Sequence, residues 1–331
     1  MRIAINGFGR IGRSFLRVIE SHPEIEVVAI NDLADIHNQA HLLKYDTTHR
    51  LFPNDISVEG NTLLIGERTI AYSSHRNLEN APWETLDLDV ILEATGLFRE
   101  QTLLQSHLAK AKKVIISAPP LDETRTVVMG INEGYILASD RVLSNASCTT
   151  NSAAPLVEVV SRLCGIEHAY ITTVHSYTTD QRLQDGPHKD FRRGRAAAES
   201  IVPTTTGAAK AITRIFPHLK GRIGGAGIRV PVPNGSLTDI TFTVKKIASV
   251  ETVNNAFREA SETYLNPYLG YTADPIVSRD VIGSPYSCLY DEGLTSVLGP
   301  MLKVVAWYDN EMGYAHRLKD LVLYLARQKF I

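Results

Sequence analysis

The stretch Arg2-Ile3-Ala4-Ile5-Asn6-Gly7-Phe8-Gly9-Arg10-Ile11-Gly12 begins as a short apolar run, breaks at a glycine and continues as a helical pattern. Its last six residues read Gly-x-Gly-x-x-Gly directly after a strand. Ile11, Phe15, Leu16, Val18 and Ile19 then recur at helical spacing. Glycines at these three places permit a tight turn, close approach of backbone to a pyrophosphate and close helix packing, while the helix N-terminus offers N–H groups to phosphate. Residues 26–30 form a second apolar strand, so strand, turn, helix and strand make a βαβ unit of a parallel sheet. Asp32 follows about twenty positions after Gly12, where a carboxylate accepts hydrogen bonds from a ribose and repels a 2′-phosphate. This favours NAD over NADP.

Working outward, strands at 88–93, 113–117 and 141–144, with a helix around 101–111, extend the unit into a Rossmann-type doubly wound parallel sheet over residues 1–148. After Asn151 a helix carries Ala154, Leu156, Val157, Val160 and Leu163 on its apolar side, and longer strands follow at 168–174, 228–232, 236–246 and 302–307. Ile240, Phe242 and Val244 alternate with polar residues, which predicts a mixed, largely antiparallel sheet in an α+β catalytic domain over residues 149–311. Between its first two strands, residues 177–203 read as a long ordered loop, and loops of that length are usually functional. Tyr314, Leu318, Leu321, Val322 and Leu325 share one helical face, so residues 312–331 are expected to return as a C-terminal helix to the first domain. A chain of 331 residues, 44% apolar and 21% charged, can bury two such cores, and the cleft between domains is the default site.

Thirty-four basic residues against 36 acidic ones, with no basic block, exclude a dedicated nucleic-acid binder. No apolar run is long enough for a membrane span and no secretory pattern opens the chain, which reads as cytoplasmic. Cys148, Cys164 and Cys288 are too few and too widely spaced for a disulfide framework, and the eleven histidines show no paired-ligand spacing, so no metal site is inferred. Cys148 lies in Ser144-Asn145-Ala146-Ser147-Cys148-Thr149-Thr150-Asn151 at a helix start, whose positive end favours a thiolate; His175 closes a strand and could serve as its base. A cysteine taken alone is equally a small buried hydrophobe, the reading given to Cys164 and Cys288. Arg192-Arg193-Gly194-Arg195, Thr204-Thr205-Thr206-Gly207 and Arg229, a charge at the end of an apolar strand, suit phosphate oxygens. Asn310 reads first as a cap of the last helix, with presentation of its amide to a carboxamide as the alternative.

Ala4-Ile5-Asn6-Gly7-Phe8-Gly9-Arg10-Ile11-Gly12, the 144–151 segment, His175-Ser176-Tyr177-Thr178, residues 196–212 and Trp307-Tyr308-Asp309-Asn310-Glu311 together resemble the phosphorylating glyceraldehyde-3-phosphate dehydrogenase family over the whole chain. The resemblance implies NAD-dependent oxidation of D-glyceraldehyde 3-phosphate to 1,3-bisphosphoglycerate in a cytoplasmic homotetramer. Cys148 would be the nucleophile and His175 the base, with the Cys148 N–H and the His175 ring donating to the oxyanion. Thr178, Asp180 and Arg229 would bind the substrate's phosphate. Ser147, Thr149, Arg193, Thr206 and Gly207, with Arg195 as a weaker member, would bind the attacking phosphate. Gly7, Gly9, Arg10, Ile11, Gly12, Asp32, Arg76, Ser117 and Asn310 would hold NAD, Asn310 through the nicotinamide carboxamide, and Asp185-Gly186-Pro187 would approach a neighbouring subunit's adenosine. The chain departs from the family pattern at Met312, Ser152 and Thr179, and lacks the usual Asp-Pro after Arg76. Two alternatives stand beside this one: the related erythrose-4-phosphate dehydrogenases, which usually lack the Ser-Tyr-Thr after the histidine, and a non-catalytic NAD-binding regulatory protein.

Overall fold

The computed structural model describes residues 1–331 apart from the side chain of Leu78. The chain divides into two compact units, residues 1–127, 133–146 and 315–331 in the first and 128–132 and 147–314 in the second. The first unit holds β1 (Arg2–Asn6), β2 (Glu26–Asn31), β3 (Tyr45–Asp46), β4 (Arg50–Leu51), β5 (Ile56–Glu59), β6 (Thr62–Ile65), β7 (Arg68–Ser73), β8 (Leu88–Glu93), β9 (Ala111–Ile116), β10 (Arg125–Thr126) and β11 (Val142–Ser144). Its helices are α1 (Arg10–Val18), α2 (Ile36–Lys44) and α3 (Gln105–Leu108). Nine strands form one sheet in the order β10-β11-β9-β8-β1-β2-β7-β6-β5. The strands from β10 to β7 pair in parallel, and only β6 and β5 add antiparallel at the edge. Ile3, Ala4 and Ile5 of β1 are buried on both faces, as a central parallel strand requires.

The second unit holds α4 (Cys148–Cys164), β12 (Ile166–Ser176), β13 (Val202–Thr204), α5 (Ala208–Ile215), β14 (Ile223–Val230), β15 (Ser236–Val244), α6 (Val250–Glu262), β16 (Leu269–Thr272), β17 (Cys288–Asp291), β18 (Ser296–Leu298) and β19 (Met301–Tyr308). Its sheet runs β13-β14-β12-β15-β19-β17-β16, with β18 also on β19. The β12–β14 and β16–β17 pairs are parallel and the others antiparallel, the mixed arrangement expected. The parallel register of β12 and β14 sets His175 opposite Arg229. Helix α4 is capped by Ser147, whose Oγ accepts from Thr150 N at 3.1 Å, and its first half is buried all round, hydroxyl and amide side chains included. It is thus a central helix packed by α5, α6 and the sheet, and Cys148 stands at its N-terminus.

The last helix, α7 (Met312–Arg327), belongs to the first unit from Ala315 onward. The helix expected over 101–111 is shorter: a 3-10 turn at Gln101–Leu104 precedes the single turn of α3, because β9 already begins at Ala111. Strand β14 starts five residues before the expected 228, its glycines having masked the apolar pattern. Residues 177–201 form an irregular loop closed on itself by Arg182 N to Arg193 O (3.2 Å), Gly186 N to Gly194 O (2.9 Å) and Ala197 N to Arg182 O (2.9 Å). Among the described residues no helix is long and apolar enough to cross a membrane.

Candidate active site

At the carboxyl edge of the first unit's sheet, Asn6, Gly7, Gly9, Asn31, Asp32, Leu33, His75, Arg76, Ala94, Thr95, Leu97 and Phe98 line a cavity of about 420 Å³. It lies where strand order reverses, since β2 and β7 stand on one side of β1 and β8 and β9 on the other; open α/β sheets bind ligands at this crevice. The three glycines are required for different reasons. Gly7 has φ +94° and a Cβ there would stand 2.6 Å from Thr95 N, while a Cβ on Gly12 would stand 2.4 Å from the Gly7 carbonyl. A Cβ on Gly9 would meet nothing within 4 Å, so this glycine keeps the cavity wall open. No side chain caps α1 and no acidic residue occupies its first turn, so the positive end of the helix is turned to an anion without a competing carboxylate. Asp32 is pinned toward the cavity, Oδ2 accepting from Phe8 N at 2.7 Å and Oδ1 from Ala34 N at 2.9 Å and Gln39 Nε2 at 3.1 Å. An open glycine cradle, an uncapped helix, a fixed carboxylate and the apolar Leu33, Leu97 and Phe98 fit a dinucleotide.

Of the other expected cofactor residues, Arg76 lines the cavity and Ile11 and Gly12 lie in the first turn of α1. Arg10 turns to Asp46, with Nη1 2.5 Å from Oδ2 and Nη2 3.3 Å from Oδ1. Burial would raise the Asp46 carboxyl, but Arg10 and the backbone N–H groups of His49 and Thr48 hold it at about 2. Ser117 follows β9, and its N–H donates to Glu93 O at 2.9 Å.

In the second unit Cys148 Sγ lies 3.4 Å from His175 Nε2. His175 Nδ1 is 2.7 Å from the Ser176 carbonyl, and Arg229 Nη1 stands 2.7 Å from Nδ1 and donates to the same carbonyl at 3.0 Å. Nδ1 thus faces an acceptor, the Ser176 carbonyl, and a donor, Arg229 Nη1; in the tautomer with its proton on Nδ1 the imidazole presents the Nε2 lone pair to the thiol. Tyr308 meets the imidazole edge-on at 5.9 Å between ring centres, and its hydroxyl is bonded to Thr149 Oγ1 (3.0 Å) and Thr173 Oγ1 (2.9 Å). Burial, and then the Arg229 charge, push His175 down to about 3. Burial pushes the Cys148 thiol up, against Arg229 and Thr149, which pull it down. Burial thus works against the thiolate that the helix end favours, while Arg229 and Thr149 work for it.

Arg193 and Asp180, expected in two separate phosphate pockets, form one ion pair, and Arg193 Nε also donates to Thr204 Oγ1 at 2.8 Å. Both charges act on Arg229. Arg195 instead pairs with Asp185 at 2.9 Å on the surface. Ser147 Oγ is engaged in capping α4, Thr206 Oγ1 accepts from Ala208 N at 3.2 Å, Gly207 starts α5 without a side-chain cap, and Thr178 N donates to Gln181 Oε1 at 3.4 Å. The capping expected of Asn310 is done by Asp309, whose Oδ1 accepts from Glu311 N at 2.8 Å and Met312 N at 2.9 Å. Asn310 is buried, with Oδ1 accepting from the Ser176 and Ser236 hydroxyls at 2.9 Å each, which leaves Nδ2 free to donate to a ligand. Cys164 and Cys288 are buried.

Sequence reasoning passed over Asn6, Asn31, Thr95, Leu97 and Tyr308. The signal was there for the two asparagines, since each ends an otherwise apolar buried strand, where an amide is costly unless it has partners.

Two family models match the chain, "Glyceraldehyde 3-phosphate dehydrogenase, NAD binding domain" over residues 1–101 and "Glyceraldehyde 3-phosphate dehydrogenase, C-terminal domain" over residues 147–310. Among curated relatives, glyceraldehyde-3-phosphate dehydrogenase of Mycobacterium avium is 51% identical over 330 residues, covering 97% of each chain. That of Geobacillus stearothermophilus is 49% identical over 329 residues, covering 98% of each. Glyceraldehyde-3-phosphate dehydrogenase 2 of Streptomyces avermitilis is 48% identical over 332 residues, covering 99% of each.

Proposed function

Because the chain belongs to the glyceraldehyde-3-phosphate dehydrogenase family, we propose that it oxidises D-glyceraldehyde 3-phosphate with NAD and inorganic phosphate to 1,3-bisphosphoglycerate, with Cys148 as nucleophile and His175 as base. The observation that carries the residue assignment is the 3.4 Å approach of Cys148 Sγ to His175 Nε2. Sγ bonds to the aldehyde carbon and the thiol proton passes through Nε2 to the aldehyde oxygen, giving a thiohemiacetal. NAD, when bound, supplies the nicotinamide that accepts the hydride. His175 takes the hydroxyl proton as the carbonyl of the thioester forms, and the Cys148 N–H at the start of α4 stabilises the oxyanion. A phosphate oxygen then bonds to the acyl carbon, the C–S bond breaks, and the proton held by His175 returns to sulfur.

Arg229 couples binding to this chemistry. Its charge disfavours an imidazolium at His175, and a substrate phosphate seated on it with Thr178 would offset that charge when His175 must accept a proton. Asp180 acts through its ion pair with Arg193, which also donates to Thr204 Oγ1 and Thr205 O, and Arg193, Thr206 and Gly207 are assigned to the attacking phosphate. Asn310 Nδ2 is assigned to the nicotinamide carboxamide, and Asp32, Gly9 and Arg76 to the rest of NAD. By the same family reading the protein is a cytoplasmic homotetramer.

NAD reduction assayed with glyceraldehyde 3-phosphate and with erythrose 4-phosphate, each with and without inorganic phosphate, tests the proposal. Turnover is expected with the three-carbon substrate and to depend on phosphate. Preference for the four-carbon sugar, or equal turnover without phosphate, refutes it.

A further inference from the structure

Behind the cofactor cavity lies a carboxylate that the mechanism does not use. Glu93 ends β8 and is only 1% exposed. Its Oε2 accepts from Asn6 Nδ2 at 2.6 Å; its Oε1 accepts from Thr95 N at 2.9 Å and from the Thr95 hydroxyl. Asn6 Oδ1 in turn accepts from Asn31 Nδ2 at 2.9 Å, and Asn31 holds the backbone of His75 through both its amide atoms, Nδ2 donating to His75 O and Oδ1 accepting from His75 N, each at 2.8 Å. The bonds thus run unbroken from the carboxyl end of β8 through those of β1 and β2 to the turn after β7. Asn6, Thr95, Asn31 and His75 all line the cavity, whereas Glu93 does not.

A carboxylate only accepts, while an asparagine amide can face either way. Glu93 therefore decides the orientation of Asn6 from one end, as the His75 backbone decides that of Asn31 from the other, and with Thr95 they set which donors and acceptors the cavity floor presents. We propose that Glu93 is a positioning residue of the NAD site, acting through Asn6 and Thr95 without touching the cofactor. The proposal rests on the assignment of this cavity to NAD.

Glu93→Gln tests it in the full-length protein. The glutamine amide would aim an N–H at either Asn6 Nδ2 or Thr95 N, both donors, so one link must break. The dissociation constant for NAD, followed by intrinsic fluorescence or calorimetry, is expected to rise roughly tenfold or more, the effect of one lost charge-assisted hydrogen bond. The loss should fall in KM for NAD more than in kcat. Thr95→Val removes one hydroxyl and keeps the shape; it is expected to weaken NAD severalfold, and it decides the matter if Glu93→Gln does not fold. Wild-type NAD affinity in a folded variant, or a loss confined to kcat, overturns the proposal. Failure of the underlying assignment looks different, since the wild-type protein itself would then not bind NAD.

Discussion

Arg229 acts on Cys148 and His175 in one electrostatic sense: its charge favours the thiolate and disfavours the imidazolium. Because burial already pushes the thiol up, the arginine is what keeps the thiolate accessible. Arg229→Leu is expected to slow alkylation of Cys148 by iodoacetamide at pH 7 severalfold, because the thiolate fraction falls when the charge is removed. An alkylation rate equal to or above that of the wild type would show that the charge does not act on the sulfur. Sequence alone marked Arg229 as a charge at the end of an apolar strand but could not place it on His175. The two are 54 positions apart and meet only through the parallel register of β12 and β14. Glu93 and Asn6 are 87 positions apart and equally unreadable as a pair. What was legible at this scale is local: Asp32 after its strand, and the helix start that carries Cys148.

The glycine turn between β1 and α1 is the element most completely written in the sequence, because its requirements are steric and span only a few residues. The structure divides its glycines by what replaces their hydrogens, and the division is testable. Gly9 has φ −71° and ψ −159°, a backbone that alanine accepts, and its Cβ would find open space beside the cavity. Gly9→Ala should keep the wild-type melting temperature within a degree or two and weaken NAD about tenfold or more by occluding the phosphate cradle. Gly12→Ala should do the reverse. Its Cβ would meet the Gly7 carbonyl at 2.4 Å, and overpacking of that kind costs roughly 1–3 kcal/mol, visible as a melting point lower by several degrees. Thermal melts and NAD titrations of both variants check the pair; a Gly9→Ala protein that binds NAD normally would place the phosphates elsewhere. The hairpin β5–β6 and the early start of β14 were less legible, since short half-exposed strands and glycine-rich ones carry weak periodicity.

The chain passes between its two units at 127/128, 132/133, 146/147 and 314/315. Contiguous sequence spans cannot express that path, although hydropathy located both sheets and the returning last helix. The net charge of −2 is equally silent about acid stability, which depends on individual buried groups. His175 is 5% exposed and held at about 3 in the folded protein, against an ordinary value of 6.5. Between those two pH values the unfolded chain takes up a proton that the folded chain refuses. The contribution is therefore intact above about pH 6.5 and is lost as pH falls toward 3, by at most about 1.4 kcal/mol per pH unit crossed. His316, lowered to about 4 mainly by burial, acts in the same direction and persists when His175 is replaced. Urea midpoints measured from pH 7 to pH 4.5 should therefore fall more steeply in the wild-type protein than in His175→Gln, and the two slopes should converge above pH 6.5. Parallel slopes throughout would mean that the folded protein protonates His175 as readily as the unfolded chain does, and burial would then not be what keeps the resting base neutral.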